Sequence, residues 1–169
     1  MTAGAALNPP AKITVFMNSA AGSVNGTHDA ATKVTGAFAR HGVEAKIREL
    51  PGDRIPAVVR EFGDRRKKSS TQDGEALAVA GGDGTTSAAV GVLAGTEIPL
   101  GLLPMGTLNH FAKDLGLPLE VDAAAGIVAA GRTRKVDVAE LNGRVCVNNS
   151  SVGLYPFMVE RRDSYQHRN

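Results

Sequence analysis

Val79-Ala80-Gly81-Gly82-Asp83-Gly84-Thr85-Thr86 is the stretch on which the reading of this 169-residue chain turns. Leu77 to Ala80 is an apolar run suited to a buried strand, and it empties into three glycines grouped around one aspartate. Glycine tolerates positive φ and lets a ligand approach the main chain, and a helix of small residues follows at once. The N–H groups at such a helix start, with the positive end of the dipole, favour an anion by up to about 2 kcal/mol in partly buried geometry. The turn is not a Walker P-loop, because no G-x-x-x-x-G-K-[ST] occurs, nor a dinucleotide fingerprint, because no glycine follows three residues after Gly84. Asp83 is the odd member, since a carboxylate repels phosphates. It belongs there only if it holds Mg²⁺, accepts from ribose or nearby N–H groups, orients a nucleophile, or caps the helix with no ligand at all.

Working outward, strand and helix alternate. Lys12 to Met17 reads as a buried strand ending at the small-residue turn Asn18-Ser19-Ala20-Ala21-Gly22. A helix over Asp29 to Arg40 shows an apolar stripe at Ala30, Val34 and Phe38, with Gly42 as its stop. Val43 to Leu50 is a second strand, and Ile55, Val58, Val59 and Phe62 mark a second helix. Gly63 to Gly74, with the basic run Arg65 to Lys68, reads as a polar surface connection before the third strand. Thr85 to Ala94 is a third helix and Ile98 to Leu103 a fourth strand. The turn Pro104-Met105-Gly106-Thr107-Leu108-Asn109 then opens a helix from Thr107 to Leu115. This order predicts an α/β fold: a mostly parallel sheet in a three-layer α/β/α arrangement, Rossmann-like, with ligands beyond the carboxyl ends of the strands. The turns bearing Asn18, Gly81 to Thr85, and Gly106 to Asn109 then converge on one edge, as a nucleotide site requires.

From Arg134 the pattern changes. Val136, Val138 and Leu141 alternate, Asn142-Gly143 signals a hairpin, and Val145 to Val147 returns. The expected organisation is a disordered leader over 1–11, a nucleotide-binding α/β domain over 12–131, and a β-hairpin with a charged tail over 132–169. A lone hairpin is marginal unless it packs on the main domain, on a second copy of the chain, or on a further domain. Self-association through its open edge is therefore an expectation.

Composition narrows the classes. The chain is 43% hydrophobic, with five phenylalanines, two tyrosines and no tryptophan, so the core is aliphatic. A net charge of +2 argues against nucleic acid as a partner. Arg65 to Lys68 is mainly a solvated run, with an anchor to anionic lipid headgroups as its functional alternative. Cys146 is the single cysteine, so no intrachain disulfide or thiolate cluster forms, and a reducing cytoplasm fits. No 18-residue apolar run or signal pattern occurs, and the four histidines lack metal-ligand spacing.

Gly81 to Thr85, followed by Leu103-Pro104-Met105-Gly106-Thr107-Leu108-Asn109-His110-Phe111-Ala112, resembles the catalytic domain of diacylglycerol kinases and related bacterial lipid kinases. The first motif is shared with NAD kinases and phosphofructokinase-like enzymes; the second is more specific. The resemblance spans about Lys12 to Pro156. It implies transfer of the ATP γ-phosphoryl group to a lipid hydroxyl such as that of diacylglycerol, with Mg²⁺ as cofactor, at the cytoplasmic face of a membrane. It implies nucleotide contacts at Ala20, Ala21, Gly22, Ser23 and Val24, along Gly81, Gly82, Asp83, Gly84, Thr85, Thr86 and Ser87, and at Thr107, with Asp83 aiding Mg²⁺ or nucleotide orientation.

Three departures stand out. Asn18-Ser19 replaces the family's usual Asn-Pro, and His110 replaces a common aspartate. The family's acidic general base lies in a β-rich domain whose first hairpin resembles Arg134 to Gly153, so the chain is expected to bind nucleotide without efficient turnover. The alternatives are a NAD kinase-like enzyme and a non-catalytic nucleotide-binding regulatory module.

Overall fold

The computed structural model describes residues 9–20, 27–68 and 74–147. Strand β1 (Lys12–Asn18) is buried through its centre, and its alternation sorts the core into two halves. Ile13, Val15 and Met17 point to one face, where they meet Val34, Ala37 and Phe38 of helix α1 (Thr27–Arg40). Phe16 points to the other, against Ile55, Val59 and Phe62 of helix α2 (Ile55–Lys68). Between those helices lie strand β2 (Glu44–Leu50) and a 3-10 turn over Gly52–Arg54.

Strand β3 (Glu75–Gly81) repeats the sorting, with Ala78 and Ala80 on the α1 side and Leu77 and Val79 on the α2 side. Helix α3 (Asp83–Leu93) follows and buries Thr85, Ala89 and Leu93, one residue per turn. Strand β4 (Leu100–Pro104), helix α4 (His110–Asp114) and helix α5 (Val121–Ala129) complete the main body. The four strands are parallel in the order β2-β1-β3-β4. Because β1→β2 steps one way across the sheet and β2→β3→β4 the other, right-handed crossovers put α1 on one face and α2 and α3 on the opposite one. The two core clusters show that division, with α5 joining the α1 side. The three-layer α/β/α architecture read from the sequence is the observed one.

Several local expectations need correction. Arg65 to Lys68 are the last turn of α2, not a loop. Gly63 is buried at the contact with α3, where a Cβ would already lie 3.4 Å from Ile98 Cδ1, so a residue read as the start of a surface connection is a packing position. Cations at the carbonyl end of a helix also suit its dipole. Helix α4 begins at His110 rather than Thr107, because Asn109 is left-handed at φ 51°, ψ 46°. Strand β4 begins at Leu100, two residues late, and α3 begins at Asp83, two residues early. Helix α5 was not anticipated, although Val121, Ala124, Ala125 and Val128 follow helical spacing.

The C-terminal hairpin is present as β5 (Ala139–Leu141) and β6 (Arg144–Cys146), antiparallel. Asn142 and Gly143 both have positive φ, 51° and 76°, as a two-residue type I′ turn demands. Val147 packs on the α2–α3 cluster and Cys146 is a free thiol. No helix among the described residues is long and apolar enough to cross a membrane.

Candidate functional site

The sheet order places a topological switch point between β1 and β3. Their following segments leave in opposite directions across the sheet, which opens a crevice beyond the carboxyl ends, the usual ligand position in such folds. Asn18 ends β1 and Gly81 ends β3, so the first two glycine-bearing turns flank this crevice. The third follows β4, the next strand in the sheet.

The three turns are bonded to one another. Asn18 Nδ2 donates to Thr85 Oγ1 at 3.0 Å, joining β1 to the start of α3. Asn18 Oδ1 accepts the Ala20 N–H at 3.0 Å, and the Ser19 N–H donates to the Leu50 carbonyl. Gly52 abuts the same amide, its would-be Cβ 3.0 Å from Asn18 Nδ2. On the other side the Met105 N–H donates to the Gly81 carbonyl at 2.9 Å. Gly82 and Gly106 meet back to back, and a Cβ on Gly106 would fall 2.4 Å from the Gly82 Cα. Asn109, 8% exposed, folds its amide onto Gly106, accepting from its N–H at 2.9 Å and donating to its carbonyl at 2.7 Å. Its left-handed backbone is tolerable for asparagine and makes this closure possible.

Asp83 carries the link with most chemical consequence. Its two carboxylate oxygens accept the N–H groups of His110 and Phe111, each at 3.1 Å, so it caps α4 from 27 and 28 positions away. Of the roles open to this residue in the sequence, acceptance from nearby N–H groups is observed. The helix capped is α4, not the one Asp83 itself begins. Phe111, thereby anchored, is buried in the α2–α3 cluster.

The polar side chains nominated as nucleotide contacts therefore divide. Thr85 is 5% exposed with its hydroxyl turned back under Gly81, the Asn18 amide is engaged with Thr85 and Ala20, and the Asn109 amide with Gly106 of its own turn. These three knit the crest, and what they can offer a ligand is main chain. Gly84 and Thr107 are exposed, Gly82, Thr86, Ser87 and Gly106 half-buried, and nothing stands within 4 Å of where a Gly84 Cβ would be. The first N–H groups of α3 have no acceptor within the helix, whose first bond of this kind is Thr86 N–H to the Gly82 carbonyl. Ala21, Gly22, Ser23 and Val24 lie outside the described residues. The Asp83 bridge to α4 and the Gly52 abutment were missed in the sequence. The Gly106-x-x-Asn109 spacing was the visible half of the third-turn clasp.

Among the described residues no group of three or more His, Cys, Asp or Glu could hold a metal by themselves. Mg²⁺ that arrives on phosphates needs only one or two protein carboxylates, and Asp83 is a carboxylate at this turn.

Comparison with known proteins shows the family. The family description "Diacylglycerol kinase catalytic domain" matches residues 12–141, from the first residue of β1 to the last of β5. A diacylglycerol kinase of Mycobacterium tuberculosis (strain ATCC 25618 / H37Rv) is 37% identical over 134 residues, which is 77% of this chain and 40% of that protein. A probable lipid kinase YegS of Salmonella heidelberg (strain SL476) is 36% identical over 83 residues, 47% of this chain and 28% of the relative. A crystal structure of a diacylglycerol kinase from Bacillus anthracis str. Sterne superposes with a TM-score of 0.64 at 29% identity, covering 82% of this chain and 46% of that one. The chain thus spans less than half the length of these relatives. With both motifs lying inside the matched region and the turns clasped at the crest of a parallel sheet, the chain belongs to the diacylglycerol kinase catalytic-domain family.

Proposed function

We propose that the crest formed by Asn18, Ala20, Gly81 to Ser87 and Gly106 to Asn109 holds the phosphates of ATP, in an enzyme that transfers the γ-phosphoryl group to a lipid hydroxyl such as that of diacylglycerol. One observation carries this reading: the open amino end of α3, with clear space at Gly84, presented at the β1–β3 switch point. Phosphoryl transfer depends mainly on positioning and charge stabilisation, which main-chain N–H groups supply without reorganising. Mg²⁺ bound with the nucleotide supplies neutralisation of the phosphate charge, and Asp83 is the residue that would hold it. Ala21 to Val24 and Thr107 complete the nucleotide contacts in this reading.

In the same proposal residues 12–131 are the nucleotide-binding domain, and the segment from 132 begins a β-rich domain. An acidic residue of that domain, and not one described here, deprotonates the acceptor hydroxyl. A lipid acceptor brings the enzyme to a membrane surface as a peripheral protein. Removal of that general base is expected to lower the rate by about 10² to 10⁴.

The test is titration of ATP·Mg²⁺ against the chain, read by thermal unfolding. A ligand at a hundred times its Kd adds about 2.7 kcal/mol to stability. For a domain of this size that raises Tm by roughly 5–10 °C. An unshifted Tm at millimolar ATP·Mg²⁺ removes the reading. Full-length protein supplied with labelled ATP and diacylglycerol then tests the acceptor.

A further inference from the structure

A second concavity, of about 270 Å³, lies between α2 and β2, away from the crest. Its floor is Thr14 and Phe16, and Lys12 stands at its edge. Lys12 begins β1 where Asn18 ends it, so at ~3.3 Å per residue this edge sits roughly 20 Å from the crevice. The hollow exists because α2 spends its apolar face on Phe16, Leu77 and Val79 and leaves the outer half of the sheet face bare. Opposite Thr14 and Phe16 in the β1–β2 register stand Lys46 and Arg48, both exposed and both lining the hollow.

The charges here are unequal. Lys12, Lys46, Arg48 and Arg65 face Glu61 and Glu75. Glu75 is already engaged, accepting from Thr14 Oγ1 at 2.5 Å and from Arg65 Nη2 at 3.1 Å. Lys12 approaches Glu44 only at 4.0 Å. Neither Lys46 nor Arg48 makes an ion pair among the described residues, and Glu61 offsets one cation of the three that remain. Arg48 is also held in place, its guanidinium 5.4 Å from the Phe16 ring centroid, while Arg65 stacks on Phe62 at 5.0 Å. Residues two apart on one strand face lie about 6.6 Å apart, close enough for an arginine fork and an ammonium to share the oxygens of one phosphate.

We propose that this hollow is a second anion site, which takes a phosphomonoester group on Arg48 and Lys46 with Lys12 at its mouth. The group arrives either on a small soluble molecule or on a lipid headgroup; the chemistry that recognises it is the same. The site is separate from the crest, so it does not depend on what the crest binds.

Amide NMR of the 169-residue chain, titrated with inorganic phosphate at constant ionic strength, is the test. Saturable shifts are expected at Thr14, Lys46 and Arg48. The double variant Lys46→Gln/Arg48→Gln alters exposed side chains and should weaken them about tenfold or more, because two charge-assisted contacts are gone. The amide positions of Gly81 to Ser87 without phosphate should match wild type in the variant and certify its fold. A second arm mixes wild type and variant with vesicles of phosphatidic acid in phosphatidylcholine, or of phosphatidylcholine alone. Sedimentation of wild type only, and only with phosphatidic acid, assigns a headgroup; phosphate shifts without sedimentation assign a soluble ligand. Phosphate shifts confined to the crest, or equal affinity in wild type and variant, overturn the proposal.

Discussion

Gly82 and Gly106 touch through their backbones, so that a single methyl group placed on Gly106 would lie 2.4 Å from the Gly82 Cα. That neighbour is backbone and cannot swing aside, and Asn109 Oδ1 stands 2.9 Å from the same position. Gly106→Ala is expected to lower stability by about 2–3 kcal/mol through overpacking, and urea unfolding measures it. Gly84→Ala is the counterpart. It meets no atom within 4 Å and sits in a helix, so it should raise stability by about 0.5–1 kcal/mol while placing a methyl group where phosphate is proposed to approach. A Gly84→Ala chain that binds ATP·Mg²⁺ as tightly as wild type would count against that approach.

Asp83 and α4 supply a second test. Asp83→Ala removes both acceptors from the His110 and Phe111 N–H groups and should destabilise by about 2–3 kcal/mol. Asp83→Asn keeps one oxygen and should lose about half as much. Hydrogen exchange at those two amides is the direct readout: unchanged protection in Asp83→Ala would show that the cap is not formed in solution.

Asn18 and Thr85 join β1 to α3 by one hydrogen bond, and Thr85 is buried. Thr85→Val keeps the shape but leaves the Asn18 amide facing a methyl group, an expected loss of about 1–2 kcal/mol. Thr85→Ser retains the acceptor. A double-mutant cycle of Asn18→Ala with Thr85→Val should report a coupling of about 1 kcal/mol, and additivity would mean the bond contributes nothing.

Gly101 sits under α5, where a Cβ would come 2.8 Å from Val128 Cγ1 and 3.1 Å from Ala78 Cβ. Gly101→Ala should therefore cost about 1–3 kcal/mol. Val128→Ala in the same chain should recover part of it by vacating that volume. Equal Tm values for the single and double variants would exclude this contact as the cause.

The alternation of β1 and β3, the helical stripes of α1 and α2 and the glycine turns were legible because each follows from local periodicity or from a residue with special backbone freedom. Asn142-Gly143 was legible for the same reason. The misses share a different cause. Gly63 reads as the start of a polar connection until Leu93 and Ile98 are seen packed over it. Asn109 looks like an interior residue of a helix until its amide is seen closing on Gly106. Asp83 offered several roles, and its capping of α4 from 27 and 28 positions away is seen only once the chain is folded. Each depends on a contact made across the fold, which no local pattern encodes. Helix α5 alone had a readable pattern, in a stretch whose alanine content hides the stripe.

The clasp of Asn18 on Thr85, Gly81 on Met105 and Asp83 on α4 ties three strand ends into one plate. Such a plate has no joint of its own. Any motion that reaches it should carry the three strand ends together, and a fault at any one fastening should be felt as slackness along the whole rim.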